Sequence, residues 1–149
     1  MRSILGHIGL FLLLLTLLTA SFTLNVIVHE TGHYIVAERF HAQPTMHFEN
    51  PLQNGVVGFS IVSATPVAYV AFQPVEDTWE TASVALAGVL FNAILGLIFT
   101  FIYLQMEKSH TRTTLFLALV LPCILSIFIN LNIWQAQSDG ALLFHLLGF

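Results

Sequence analysis

The chain has 149 residues, of which 56% are hydrophobic and 8% charged, with eight acidic against four basic side chains and a mean hydropathy of +0.84. A soluble domain carries about 25% charge, so this composition excludes one and indicates a single integral membrane domain. The net charge of -4 and the absence of any basic run leave no footprint for nucleic acid.

The first apolar block runs from Ile4 to Phe40. Arg2, the leucine-rich run to Leu18 and the small residues Thr19-Ala20-Ser21 share features with a secretory signal peptide. The apolar run continues past Ser21 through Val28, however, so the segment is expected to be retained. Thirty-seven helical residues would extend to roughly 55 Å, more than a bilayer core of about 30 Å. The block is therefore either one long helix or a pair broken near Thr19 to Thr23. No Gly or Pro lies between Leu10 and Thr31, which favours the single helix.

Within this block stands His29-Glu30-Thr31-Gly32-His33. On a helix, positions i and i+4 share a face, so His29 and His33 can grip one metal ion with Glu30 beside them. Ionisable groups are expensive in an apolar segment, and their presence there points to function. A coincidental trio packed at a helix interface is the alternative, and the setting argues against it.

Residues 41–80 hold four of the five prolines and the Asn54-Gly55 pair. Asn-Gly signals a hairpin; Val56 to Val62 is expected as one strand and Val67 to Phe72 as another. Two further apolar blocks follow, Ala82 to Met106 and Thr114 to Trp134, each long enough to cross a membrane as a helix. Residues 138–149 begin with Ser138-Asp139-Gly140 and end in a short apolar helix. The predicted architecture is thus α-helical and membrane-integral, with three core spans, a fourth at the N-terminus if the first block breaks, and a membrane-associated β-hairpin between the first two. Cys123, alone in an apolar stretch, reads as a packing residue.

A catalytic zinc takes three protein ligands and keeps one position open. Asp139 is the leading third ligand because it follows the third block directly, and His145 is the runner-up. His7, His41, His47 and His110 lie near block ends or in the loop and read as solvated or capping residues. Glu30 would move protons between water and a leaving amine. Taken alone, Gly88, Asn92 and Gly96 form a small-residue ridge for helix packing, and Asp139-Gly140 a helix cap or turn.

Three separated motifs resemble the site-2 protease family of intramembrane zinc metalloproteases. They are His29 to His33, the stretch Ala87-Gly88-Val89-Leu90-Phe91-Asn92 with Val89 where the family has proline, and Asn130-Leu131-Asn132 leading to Asp139-Gly140. The resemblance implies one zinc per chain held by His29, His33 and Asp139. It also implies substrate contacts from Gly88, Asn92 and Asn130, and a hairpin that holds an extended substrate as an added strand. The family spacing from asparagine to aspartate is eight. Here it is nine from Asn130 and seven from Asn132, with no proline; Asn130 is favoured and Asn132 kept open. No PDZ or CBS domain is present in these residues, which leaves substrate selection to the core, to a second copy or to a regulatory membrane partner.

The implied function is zinc-dependent hydrolysis of a peptide bond in or near a transmembrane segment of another protein. Its rivals are an inactive scaffold and a metal carrier. A carrier needs polar groups along a path on several helices, and the second and third blocks offer almost none beyond Asn92, Asn130 and Asn132. For three spans the positive-inside count puts Arg2, Lys108 and Arg112 in the cytosol against Arg39. The resemblance implies the reverse orientation, with the zinc near the cytosolic face, and that orientation is preferred. The compact size suggests a prokaryotic plasma membrane.

Overall fold

The structure is a computed structural model and describes residues 2–48, 68–73, 77–134 and 138–148. Its elements are α1 (Arg2–Arg39), β1 (Thr45–Phe48), β2 (Ala68–Ala71), α2 (Thr78–Gln105), α3 (His110–Asn130) and α4 (Asp139–Leu146). Three of the helices, α1, α2 and α3, are long and apolar enough to cross a membrane. The first block is one unbroken helix of 38 residues, about 57 Å long, as the lack of Gly and Pro in its middle leads one to expect.

The helices pack inside out relative to a soluble bundle. The largest fully buried side chains are Val84, Asn25, Asn92, Pro122 and Cys123, whereas Leu97, Phe101 and Phe128 are each more than 60% exposed. In lipid there is no hydrophobic gain from burying leucine between helices, so interfaces select small residues that let backbones approach and polar residues that bond across them. The buried stripe of α1 accordingly reads Ser21, Asn25, His29, Glu30, Gly32, His33, Ala37, close to the helical repeat.

Two glycines set the spacing of the bundle. A Cβ on Gly32 would lie 2.7 Å from the Ala87 carbonyl oxygen and 3.0 Å from the Phe91 ring, so α1 and α2 meet backbone to backbone there. A Cβ on Gly96 would lie 3.2 Å from the Cys123 Cβ, which brings α2 against α3. Caps define the helix starts: Asp77 accepts from the Trp79 N–H at 2.9 Å, Ser109 from the Arg112 N–H at 3.1 Å, and Ser138 from the Ala141 N–H at 3.1 Å. The α2–α3 turn is closed by Arg112, which donates to the Met106 carbonyl at 3.1 Å and lies 4.1 Å over the Tyr103 ring.

The strands pair antiparallel, with Thr45 opposite Ala71 and Phe48 opposite Ala68. The predicted second strand, Val67 to Phe72, coincides with β2. β2 pairs with Thr45–Phe48, which the apolar pattern did not single out. Asn54-Gly55 and Val56 to Val62 lie outside the described residues. The sheet is tied to the end of α1 where the Gln73 N–H donates to the Ala42 carbonyl at 2.8 Å and the Ala42 N–H to that of Ala37 at 3.0 Å. Ala37, Ala42 and Val84 form a buried cluster there with Phe40 and Phe72.

Gly32→Val should force α1 from α2. The expected cost is about 1–3 kcal/mol, read as a lowered unfolding temperature in detergent, while Gly9→Val, where a Cβ meets nothing, should leave it unchanged.

Candidate metal centre

His29 and His33 sit one turn apart on α1, both buried, and their Nε2 atoms lie 3.0 Å from each other. Asp139, the first residue of α4, brings its carboxylate to them. Its Oδ2 lies 3.1 Å from His29 Nε2, and its Oδ1 lies 3.4 Å from His33 Nε2. Among the described residues this is the group of side chains that can hold a metal ion. His145 lies on the exposed part of α4, and His41, at the end of α1, and His47, stacked on Tyr69 at 4.9 Å, are likewise outside the group.

The donor set fits zinc in type and spacing. Ligands about 2.0–2.1 Å from a tetrahedral centre stand about 3.3 Å apart, and the three separations here run from 3.0 to 3.4 Å. The proton positions fit as well. His33 Nδ1 lies 2.7 Å from the Val84 carbonyl oxygen, which can only accept, so the proton of a neutral imidazole sits on Nδ1 and Nε2 presents a lone pair. The His33 Nε2 lone pair thus faces His29 Nε2 at 3.0 Å and the Asp139 carboxylate at 3.4 Å, a set of donors that a cation between them would satisfy.

Each ligand is placed by a neighbour too small or too polar to fill the space itself. A Cβ on Gly88 would stand 2.5 Å from His33 Nε2 and 2.6 Å from His29 Cε1, so both imidazoles occupy the volume that any other residue would claim. Asp139 is held from both sides. Ser138 Oγ–H donates to the Asn132 carbonyl while its oxygen caps α4, and a Cβ on Gly140 would collide with the Leu131 carbonyl. The cap of α4 is therefore Ser138, and Asp139 is left to face the histidines.

Beside the centre opens a cavity of about 390 Å³ lined by His29, Glu30, His33, Asp139, Asn130, Ser126 and the β2 residues Ala68, Tyr69 and Val70. The Val70 main chain lies within hydrogen-bonding reach of the Glu30 carboxylate. Asn130 donates to the Ser126 carbonyl at 2.8 Å and lines the cavity. Asn132 instead accepts from the Trp134 N–H at 3.1 Å in the turn that follows α3. Asn92 is fully buried and donates to Ser126 Oγ at 2.7 Å, with its amide nitrogen 3.4 Å from His29 Nδ1. Gly88 and Asn92 thus stand behind the imidazoles. Ser126 and the Val84 carbonyl were not among the residues singled out from sequence. Ser126 precedes Asn130 by one helical turn, which is a signal of a kind; a main-chain carbonyl offers none.

Gly88→Ala should lower zinc affinity by at least about 10-fold, the scale on which ligand orientation acts. Chelator competition on detergent-purified protein would read this, with helical content retained. Asp139→Ala should abolish stoichiometric zinc, and elemental analysis of that variant still giving one zinc per chain would remove Asp139 from the ligand set.

No curated protein and no solved structure matches the chain. A family model does, that of peptidase family M50, over residues 17–142. The matched residues run from the middle of α1 through the histidine pair, β2, α2 and α3 to Asp139 on α4, and the chain belongs to peptidase family M50, the site-2 protease family.

Proposed function

We propose that the protein is a zinc-dependent intramembrane endopeptidase that hydrolyses a peptide bond in or near a transmembrane segment of another membrane protein. The observation that carries this reading is the convergence of two imidazole nitrogens and a carboxylate within 3.4 Å at the wall of a cavity that also holds Glu30 and a strand edge.

Zinc held by His29, His33 and Asp139 would supply Lewis acidity, making water nucleophilic near neutral pH and polarising a carbonyl. Glu30 is adjacent to His29 in sequence and shares the cavity wall, where its Oε atoms can take a proton from water and return it to the departing amine. Burial of Glu30, at 8% exposure, keeps bulk solvent from competing for that proton. Asn130 offers its side-chain amide at the cavity surface as a partner for a substrate main chain. Gly88 and Asn92, behind the imidazoles, support the site through His29 and His33 on this reading.

A helical substrate shields its peptide bonds with its own hydrogen bonds, so hydrolysis requires local extension. The Ala68 to Val70 segment at the cavity wall can pair with an extended segment, as strand addition does elsewhere. Extended backbone at membrane depth is tolerated where it lines a cavity or is covered by protein, and this arrangement meets that condition.

Glu30→Gln should keep its zinc and lose about 10²- to 10⁴-fold in cleavage rate, measured on a single-span membrane protein co-reconstituted in vesicles. Removing the metal with a chelator should stop cleavage and adding zinc back should restore it. Cleavage by the glutamine variant at the wild-type rate would sink the mechanism.

A further inference from the structure

The residues that α2 turns toward the histidines are one helical turn apart. Val84, Gly88 and Asn92 follow at i, i+4 and i+8, and all three are buried. Opposite them on antiparallel α1 stand His33 and His29. Val84 meets His33 through its carbonyl, Gly88 leaves room for both rings, and Asn92 meets His29. Val84 fixes one imidazole by accepting the Nδ1 proton, and Asn92 is placed to act on the other.

As the amide stands, its nitrogen faces His29 Nδ1 at 3.4 Å and Ser126 Oγ at 2.7 Å, and its Oδ1 is buried without a partner. A donor facing Nδ1 requires a lone pair on Nδ1, so the proton of a neutral His29 lies on Nε2. That proton can be donated to the lone pair of His33 Nε2 at 3.0 Å, while Asp139 Oδ2 stays buried without a hydrogen-bond partner. The same proton blocks a metal, because Nε2 is the atom that faces the ligand point. A His29 that held zinc through Nε2 would carry its proton on Nδ1, with no net uptake or release, and the group facing Nδ1 would then have to accept.

An amide has an acceptor end and a donor end of nearly equal size. Turned by half a rotation about its last bond, Asn92 presents Oδ1 to His29 Nδ1–H and to the Ser126 hydroxyl. Ser126 Oγ has a donor already in Asn130 Nδ2 at 3.3 Å, so its own hydrogen is available for Oδ1. The hydrogen bonds then run in one direction from Asn130 to Ser126 to Asn92, His29 donates into the same oxygen, and the amide nitrogen takes the unpartnered place that Oδ1 leaves.

We infer that Asn92 is a positioning residue of the metal centre, whose side-chain oxygen accepts the Nδ1 proton of His29 when zinc is bound, as the Val84 carbonyl does for His33. This inference rests on the zinc reading above. It goes beyond that reading by giving the second motif helix a defined role, in which both histidines take their tautomer and ring angle from one face of α2.

The test compares zinc affinities of wild type, Asn92→Asp and Asn92→Leu by chelator competition on the full chain in detergent, with unfolding of each apo form followed in parallel. Aspartate has only acceptors and leucine has neither function. Asn92→Leu is expected to lose about 10- to 100-fold in affinity, and Asn92→Asp to stay within a few-fold of wild type or bind more tightly. A role as a helix-packing donor to Ser126 predicts the opposite for aspartate, so a loss in Asn92→Asp as large as that in Asn92→Leu would overturn the proposal, as would wild-type affinity in Asn92→Leu. Should the leucine variant fail to fold, NMR of ¹⁵N-histidine-labelled, zinc-loaded wild type and Asn92→Asp decides it. The His29 Nδ1–H proton signal is expected to move downfield in Asn92→Asp, where a carboxylate accepts in place of the amide oxygen, and a signal indifferent to that substitution would refute it. A well-folded wild type that takes up no zinc would instead remove the metal reading itself, and this inference with it.

Discussion

The contact on which the rest of this molecule depends is the approach of α2 to α1 at the level of His29 and His33. The groups that meet the Nδ1 atoms of the two imidazoles lie on α2, the Val84 carbonyl at His33 and the Asn92 amide at His29. They must come within hydrogen-bond distance. Gly32 and Gly88 make that possible from opposite sides, one by removing the side chain between α1 and the Ala87 carbonyl, the other by yielding its volume to the rings. The distance of 2.7 Å from His33 to the Val84 carbonyl is the product of both.

The same approach explains why the interior is built from Ala, Val, Gly, Asn, Ser and Cys while leucine and phenylalanine face outward. In a lipid environment the stabilisation of the bundle comes from close packing and interhelical hydrogen bonds. Polar groups that a soluble protein would place at its surface are here drawn to the centre, where His33 and Asn92 find partners on another helix and Asn25 bonds within its own. Packing and site use one inventory: the buried stripe of α1 is at once its packing face and the face that carries the histidine pair.

The spans and the histidine pair were legible in the sequence, since apolar run length and i, i+4 spacing are local properties. Asp139 was reachable by elimination and by resemblance, although nothing local reveals that Ser138 and Gly140 anchor it against the end of α3. The short strand Thr45–Phe48 escaped notice because four residues with only modest apolar alternation carry little signal, and its pairing with β2 spans a long stretch of chain. The choice between Asn130 and Asn132 could not be made from spacing. Two residues along a chain leaving its helix turn a side chain from the cavity to a turn, and only coordinates reveal where the helix ends. Ser126 and the Val84 carbonyl act through geometry that a residue's identity does not encode.

The partner of His33 belongs to the main chain. An interior helix carbonyl has two lone pairs, so Val84 can serve its own helix and the imidazole together, and no replacement of its side chain deletes that oxygen. Scanning mutagenesis would therefore pass position 84 as a simple packing site and miss half of the apparatus that orients the ligands. What can remove this bond is a sliding or tilting of α2 against α1. The geometry of the His29–His33–Asp139 group is in this respect a ruler for helix separation, and forces that act on the bundle as a whole, such as the thickness of the surrounding bilayer, bear directly on it.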